Sequence, residues 1–209
     1  METDSPLGYT EPIEKYLLLL LYAEGKPVKG DIWLQKELFL ISRNVDELKE
    51  EFDAYLLGPF SETVYEYKEQ LKVSGYILQD KEGFRLTEKG GQIASKLWEA
   101  TSEEEKQMIT DAKTFLNDLS RDELLVFIYS TFREFTDESI VREEIEKKKL
   151  PVAISLFRKH KVSLERASKI AEVALQEFAS ILKDRSIPAY DYPDEELLEE
   201  LQSSEAGRS

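Results

Sequence analysis

Apolar residues recur along this chain mostly at helical spacing, and one short window alternates like a pair of strands. Residues 13–23, "IEKYLLLLLYA", are apolar almost all round, which predicts a helix buried on every side. "EGKPVKGD" ends it, with Gly25 and Pro27 as breakers. Asp31 is a good N-cap for the next helix, in which Leu34, Leu38 and Ile41 share a face. Gly58-Pro59 marks a turn and Ser61 caps a third helix. Phe60, Val64, Tyr67 and Leu71 make its apolar stripe, and Gly75 is placed to terminate it. Two β-prone segments, 76–79 and 84–86, flank "DKEG", a hairpin signal. Thr87 then caps a fourth helix running to about Ala100.

The middle of the chain repeats one device. Ser102 with Glu105, and Ser120 with Glu123, have capping-box spacing. Met108, Ala112, Phe115 and Leu119 are expected to line one face of the first of these helices, and the second is apolar from Leu124 to Tyr129. Farther on, Val152, Leu156 and Phe157 form a core face. Ser163 caps a short helix with Leu164, Ala167, Ile170 and Ala171 inward. Glu172-Val173-Ala174 is the turn into a last helix carrying Leu175, Phe178, Ala179 and Leu182 on one side, and Pro188 ends the unit. Two short helices about a tight turn read as a helix-turn-helix.

The predicted fold is therefore mainly α with a small β-hairpin wing: a winged helix, then a helical connector, then a helix-turn-helix. The predicted boundaries are 1–100 for the winged-helix domain, 101–150 for the connector, 151–188 for the helix-turn-helix-like module and 189–209 for an acidic tail.

Charge sharpens the picture. The 209 residues carry a formal net charge of -15, yet residues 141–190 have a positive balance. Two readings of that segment stand, an electrostatic footprint for nucleic acid or a solvated helix face with surplus lysines. Under the first, Lys147, Lys148, Lys149, Arg158, Lys159, Lys161, Arg166 and Lys169 contact phosphate. On the last helix, Gln176 suits adenine and Lys183 suits phosphate or guanine, while Glu177 repels phosphate. The third helix of the first domain sets Lys68 and Lys72 against Glu62, Glu66 and Glu69, and the wing sets Lys81 and Arg85 against Asp80 and Glu82. Both offer phosphates little.

The tail places Tyr190, Tyr192, Leu197, Leu198 and Leu201 among acids. Such a segment docks on a basic, apolar-rimmed partner or on the chain's own basic segment. With no cysteine, thiol chemistry and Cys-based zinc sites are excluded. The single histidine, His160, sits among cations as a helix-end residue. No catalytic, cofactor or metal set is expected, so the chain reads as a non-enzyme. The longest apolar run is too short to span a bilayer and the N-terminus lacks signal-peptide features, so a cytoplasmic protein with no membrane partner is expected.

Two resemblances extend this reading. "GKPVKGDIWLQKELFLI", "YLLGPFSETVYEY" and "SGYI…FRLTEKG" resemble the winged-helix proteins of the YwgA type over roughly residues 13–97. "AISLFRKHKVSLERASKIAEVALQEFASILKDRSIPAYDYPDEELLEEL" resembles a family of small prokaryotic helix-turn-helix proteins regarded as antitoxins. Its pattern is similar to "A-LY-KG-ISL-KAAE-AG-----F---L--RGI" with an acidic tail. Glu172 stands where that pattern has its turn glycine, which forces a different turn conformation or none. The second resemblance implies a DNA-binding regulator whose tail wraps a toxin, often a PIN-domain ribonuclease. A homodimer is a further expected partner state, and a scaffold or dimerisation module without DNA binding is the alternative function.

Overall fold

The computed structural model describes residues 11–49, 51–135 and 140–189. Among them, nine helices and a two-stranded antiparallel hairpin make a mainly helical chain. It divides into two compact units, Met1–Ile145 and Glu146–Ser209.

The first unit begins with α1 (Pro12–Tyr22), whose Leu17 to Leu20 are fully buried. Around it lie α2 (Asp31–Ser42), α3 (Glu62–Val73), the strands β1 (Ile77–Asp80) and β2 (Gly83–Leu86), α4 (Glu88–Ala100) and α5 (Glu103–Asn117). α1 packs on α3 and α4, and α2 packs on α5. Val28 exchanges both backbone hydrogen bonds with Phe84, which adds a third rung beside the hairpin. Gly83 permits that approach: a Cβ there would lie 2.0 Å from the Val28 carbonyl oxygen. α6 (Arg121–Thr131) follows, and Phe39 of α2 meets Phe52, Phe132 and Phe135 edge-on at 5.5, 4.9 and 4.9 Å.

Caps follow the sequence. Ser61, Thr87, Ser102 and Ser120 each accept a hydrogen bond from the third backbone N–H of their helix, and Ser120–Glu123 closes a full capping box. Asp31 does not cap. It occupies the first turn of α2 behind Gly30, and its carboxylate accepts from Lys68 at 2.5 Å. The buried face of α5 is also rotated from the expected one, being Ile109, Ala112, Lys113 and Leu116. Met108 and Phe115 are half-buried instead. The cause is Lys113, whose ammonium donates to the Leu21 and Ala23 carbonyls at the end of α1, 3.3 and 2.6 Å away. A lysine holding orphan helix carbonyls has joined the core.

The second unit contains the remainder of α7 (Arg142–Arg158), together with α8 (Leu164–Ala171) and α9 (Leu175–Asp184). Val152, Leu156 and Phe157 meet Leu164, Ala167, Ile170, Phe178 and Leu182 in one small core. Phe157 and Phe178 stack edge-to-face at 6.5 Å. Ser163 caps α8 as expected.

All three helices of this unit end on a left-handed residue that is not glycine: His160 (φ 53°), Glu172 (φ 56°) and Ser186 (φ 55°). At each, the next N–H reaches back to close the last turn: Lys161 to Leu156, Val173 to Ser168, Ile187 to Leu182. These are also the three positions at which the antitoxin-like pattern has glycine. The turn at Glu172 therefore forms with the conformation a glycine would give, at a cost on the order of 1 kcal/mol per L-residue.

Candidate nucleic-acid interface

The sequence nominated ten residues for DNA contact, and the second unit sorts them by what surrounds each one. Lys147 and Arg158 of α7 and Gln176 and Lys183 of α9 are exposed, and among the described residues none of the three cations has an ion pair. Lys159 is exposed, while Lys148, Lys161 and Arg166 are half-buried, and all four interact with neighbours. Lys169 is exposed but bonded to Glu165 at 2.5 Å, which holds that carboxyl below its usual range.

Lys149 is the exception. It is buried and bridges Glu146 and Glu172 at 2.6 and 2.8 Å. Its charge is neutralised inside the unit, so it offers nothing to phosphate. Glu172, the residue that seemed to spoil the turn, thus supplies the counter-ion for a buried lysine.

One cation that sequence reasoning left out belongs to the same surface. Arg185, just past α9, shares two adjoining clefts of about 560 and 460 Å³ with Arg158 and Ile154. The first cleft adds Phe157, His160 and Ile187, and the second adds Ser155 and Lys159. Arg185 is exposed and has no ion pair among the described residues. No local sequence signal singles it out, because only the folded unit places it on the same clefts as Arg158. Two guanidiniums and Lys159 line clefts with an apolar floor, an arrangement that suits a phosphate or carboxylate anion. The tail positions Tyr190, Tyr192, Leu197, Leu198 and Leu201 lie outside the described residues.

On the first unit, the surface of α3 and the hairpin has the opposite electrostatics. Lys68 of α3 is buried and bonds Asp31 and Glu69, at 2.5 and 3.0 Å, while lying 4.3 Å from the Tyr65 ring centroid. Burial works to lower its pKa, but the two carboxylates outweigh that and hold it above the usual lysine value. Lys72 bonds Glu69 at 3.2 Å, and Arg85 of the hairpin is paired with Asp80 and lies 3.7 Å from Glu82. Of the cations on α3 and the hairpin, Lys81 alone stands exposed without an ion pair among the described residues.

Among the described residues no cluster of His, Asp or Glu has metal-site geometry, and no helix is long and apolar enough to cross a membrane.

Residues 138–206 match the family described as Uncharacterised protein family UPF0175. A UPF0175 protein of Aeropyrum pernix is 49% identical over 53 residues, covering 25% of this chain and 67% of that protein. A second, from Synechocystis, is 43% identical over 51 residues, covering 24% of this chain and 56% of that protein. The chain thus spans between about half and two thirds of these curated relatives, all within its C-terminal region. No solved structure matches the chain.

Proposed function

The chain belongs, through its C-terminal region, to the UPF0175 family, and from there we propose that it is a non-enzymatic DNA-binding regulator of antitoxin-like type. The second unit, a helix-turn-helix of α8 and α9, holds the phosphate backbone through Arg158, Lys159, Arg185 and Lys183. The observation that carries this reading is the convergence of Arg158 and Arg185 on shared clefts, exposed and without a counter-ion among the described residues, in a chain of net charge -15. A strongly acidic protein has carboxylates to spare, so cations left unpaired together mark a surface shaped for an outside anion. Gln176, exposed in the first turn of α9, is the residue for base contact.

The first unit is read as a winged helix of the YwgA type that serves as a scaffold. The pairing of Lys68, Lys72 and Arg85 supports that role, since these charges are already satisfied within the unit. The acidic tail supplies the contact with a toxin of the PIN-domain ribonuclease class.

The test is a fluorescence-anisotropy titration against the duplex upstream of the protein's own gene and an unrelated duplex, at several salt concentrations. Salt-dependent binding that weakens in Arg158→Ala and Arg185→Ala is expected. Binding carried by the first unit alone would reverse the assignment. Co-expression with the neighbouring gene product tests the tail: a complex that dissociates on removal of residues 190–209 is the expected outcome.

A further inference from the structure

A second pocket lies entirely within the first unit. Its volume is about 470 Å³, inside the range of roughly 300–1,000 Å³ that small-molecule sites occupy. Its wall is apolar, built from Ile32 on α2, from Leu56, Leu57 and Phe60 in the loop before α3, and from Ile140 and Val141. Tyr55, Leu56 and Ile140, at its edge, are 49%, 41% and 72% exposed, so half of the large exposed apolar side chains among the described residues gather here. The rim is closed by one backbone hydrogen bond, from the Ile140 N–H to the Leu56 carbonyl at 3.3 Å.

Four polar side chains enter this wall, and they differ in one respect. Gln35 is satisfied on both sides, donating to the Ser61 carbonyl and accepting from the Ser61 N–H, each at 3.0 Å. Asp31 is held by Lys68. Lys36 is 2% exposed, yet its ammonium has one bond, to the Pro59 carbonyl at 2.6 Å, and no carboxylate among the described residues. Arg121, exposed, has no partner among them either. A buried ammonium with two unused donors is costly unless an anion completes it.

We propose that this pocket binds a small organic monocarboxylate with an apolar body, the carboxylate meeting Lys36 and Arg121 and the body filling the wall of Ile32, Leu57 and Phe60. The one buried cation facing this pocket is Lys36, since Asp31 is already neutralised by Lys68 and Arg121 lies at the exposed edge, so a single negative charge matches the buried part of the site. This inference concerns the first unit alone, so it stands or falls apart from DNA binding by the second.

The probes are decanoate and 1-decanol, which share a chain and differ in charge, titrated calorimetrically into the full chain. Saturable decanoate binding at least about tenfold tighter than decanol is expected, from charge-assisted hydrogen bonds. Lys36→Met, which keeps an unbranched side chain of nearly the same length without the charge, should erase the preference for the anion, and Arg121→Ala, on the surface, should reduce it severalfold. Burial alone lowers the Lys36 pKa to about 7. Binding at pH 8 should therefore take up nearly one proton per decanoate, read from the dependence of heat on buffer, and Lys36→Met should take up none. Asp31, Lys68 and Arg121 are the charged groups at or against this wall, and Asp31 is already committed to Lys68. Equal affinities for decanoate and decanol, no saturable decanoate binding, or unchanged selectivity in Lys36→Met would each overturn the proposal.

Discussion

Lys68 and Lys72 of α3 and Arg85 of the hairpin each meet a carboxylate of the first unit, whereas Arg158, Arg185 and Lys183 of the second stand exposed with none among the described residues. Each unit offers a helix as a candidate DNA reader, so the helix alone does not separate them. What separates these two surfaces is whether the cations named on each are already neutralised. Net charge is blind to that difference, because it counts a lysine in a salt bridge and a lysine facing solvent alike. Buried charge draws a second contrast, between lysines held by carbonyls and lysines held by carboxylates. The first unit buries Lys36 and Lys113 on carbonyls, Glu37 with neither oxygen bonded and Lys68 between two carboxylates, and the second buries Lys149 between two carboxylates.

The largest expected effect sharpens that last contrast. Lys36 has a folded pKa of about 7 against an ordinary 10.5, because burial penalises its charged form. The penalty is complete below about pH 7, where folded and unfolded chains are both protonated. It is relieved as pH rises toward 10.5, where the unfolded chain keeps the proton that the folded chain has released. Lys36→Met should raise stability at pH 7 by about 4 kcal/mol at most and flatten the rise between pH 7 and 10, as measured by urea denaturation. Lys113, lowered to about 8 chiefly by burial, adds to the same alkaline rise. Glu37 acts with the other sign: burial raises its pKa, so its cost grows as pH climbs above the ordinary carboxyl value of 4.5.

In the second unit the counter-ion is the sensitive element. Glu172→Ala removes one of two carboxylates from Lys149 and keeps the left-handed backbone, so a loss of about 1–3 kcal/mol is expected. Glu172→Gly removes the same carboxylate but relieves the backbone, and should lose less. If the two variants proved equally stable, the left-handed strain at this turn would be negligible. The smallest effect is at Ser186. Ser186→Gly should gain up to about 1 kcal/mol, because this left-handed position has no buried ion pair to lose.

Much of this molecule was legible in its residues. Serine and threonine caps, the glycine ending α3, the hairpin and the two-helix turn near the C-terminus all follow from local backbone chemistry, and each forms where the pattern puts it. What escaped was tertiary. The face of α5 was misjudged because apolar periodicity ignores a lysine that can satisfy helix-end carbonyls from within a core. Asp31 has the chemistry of a cap, and only the fold brings Lys68 to it. Arg185 and Arg158 are far apart in sequence, and only the packing of the unit puts them on the same clefts. Glu172, judged by its backbone cost alone, concealed its value to Lys149.

The most direct test is the salt dependence of DNA binding by the full chain and two double variants. For Arg158→Ala/Arg185→Ala, the slope of log affinity against log salt should fall in magnitude by about 2, with affinity down at least about tenfold at low salt. For Lys72→Ala/Arg85→Ala, whose charges are already paired, neither slope nor affinity should change. Binding that is absent or independent of salt, or that is lost in the second variant and kept in the first, would contradict the account.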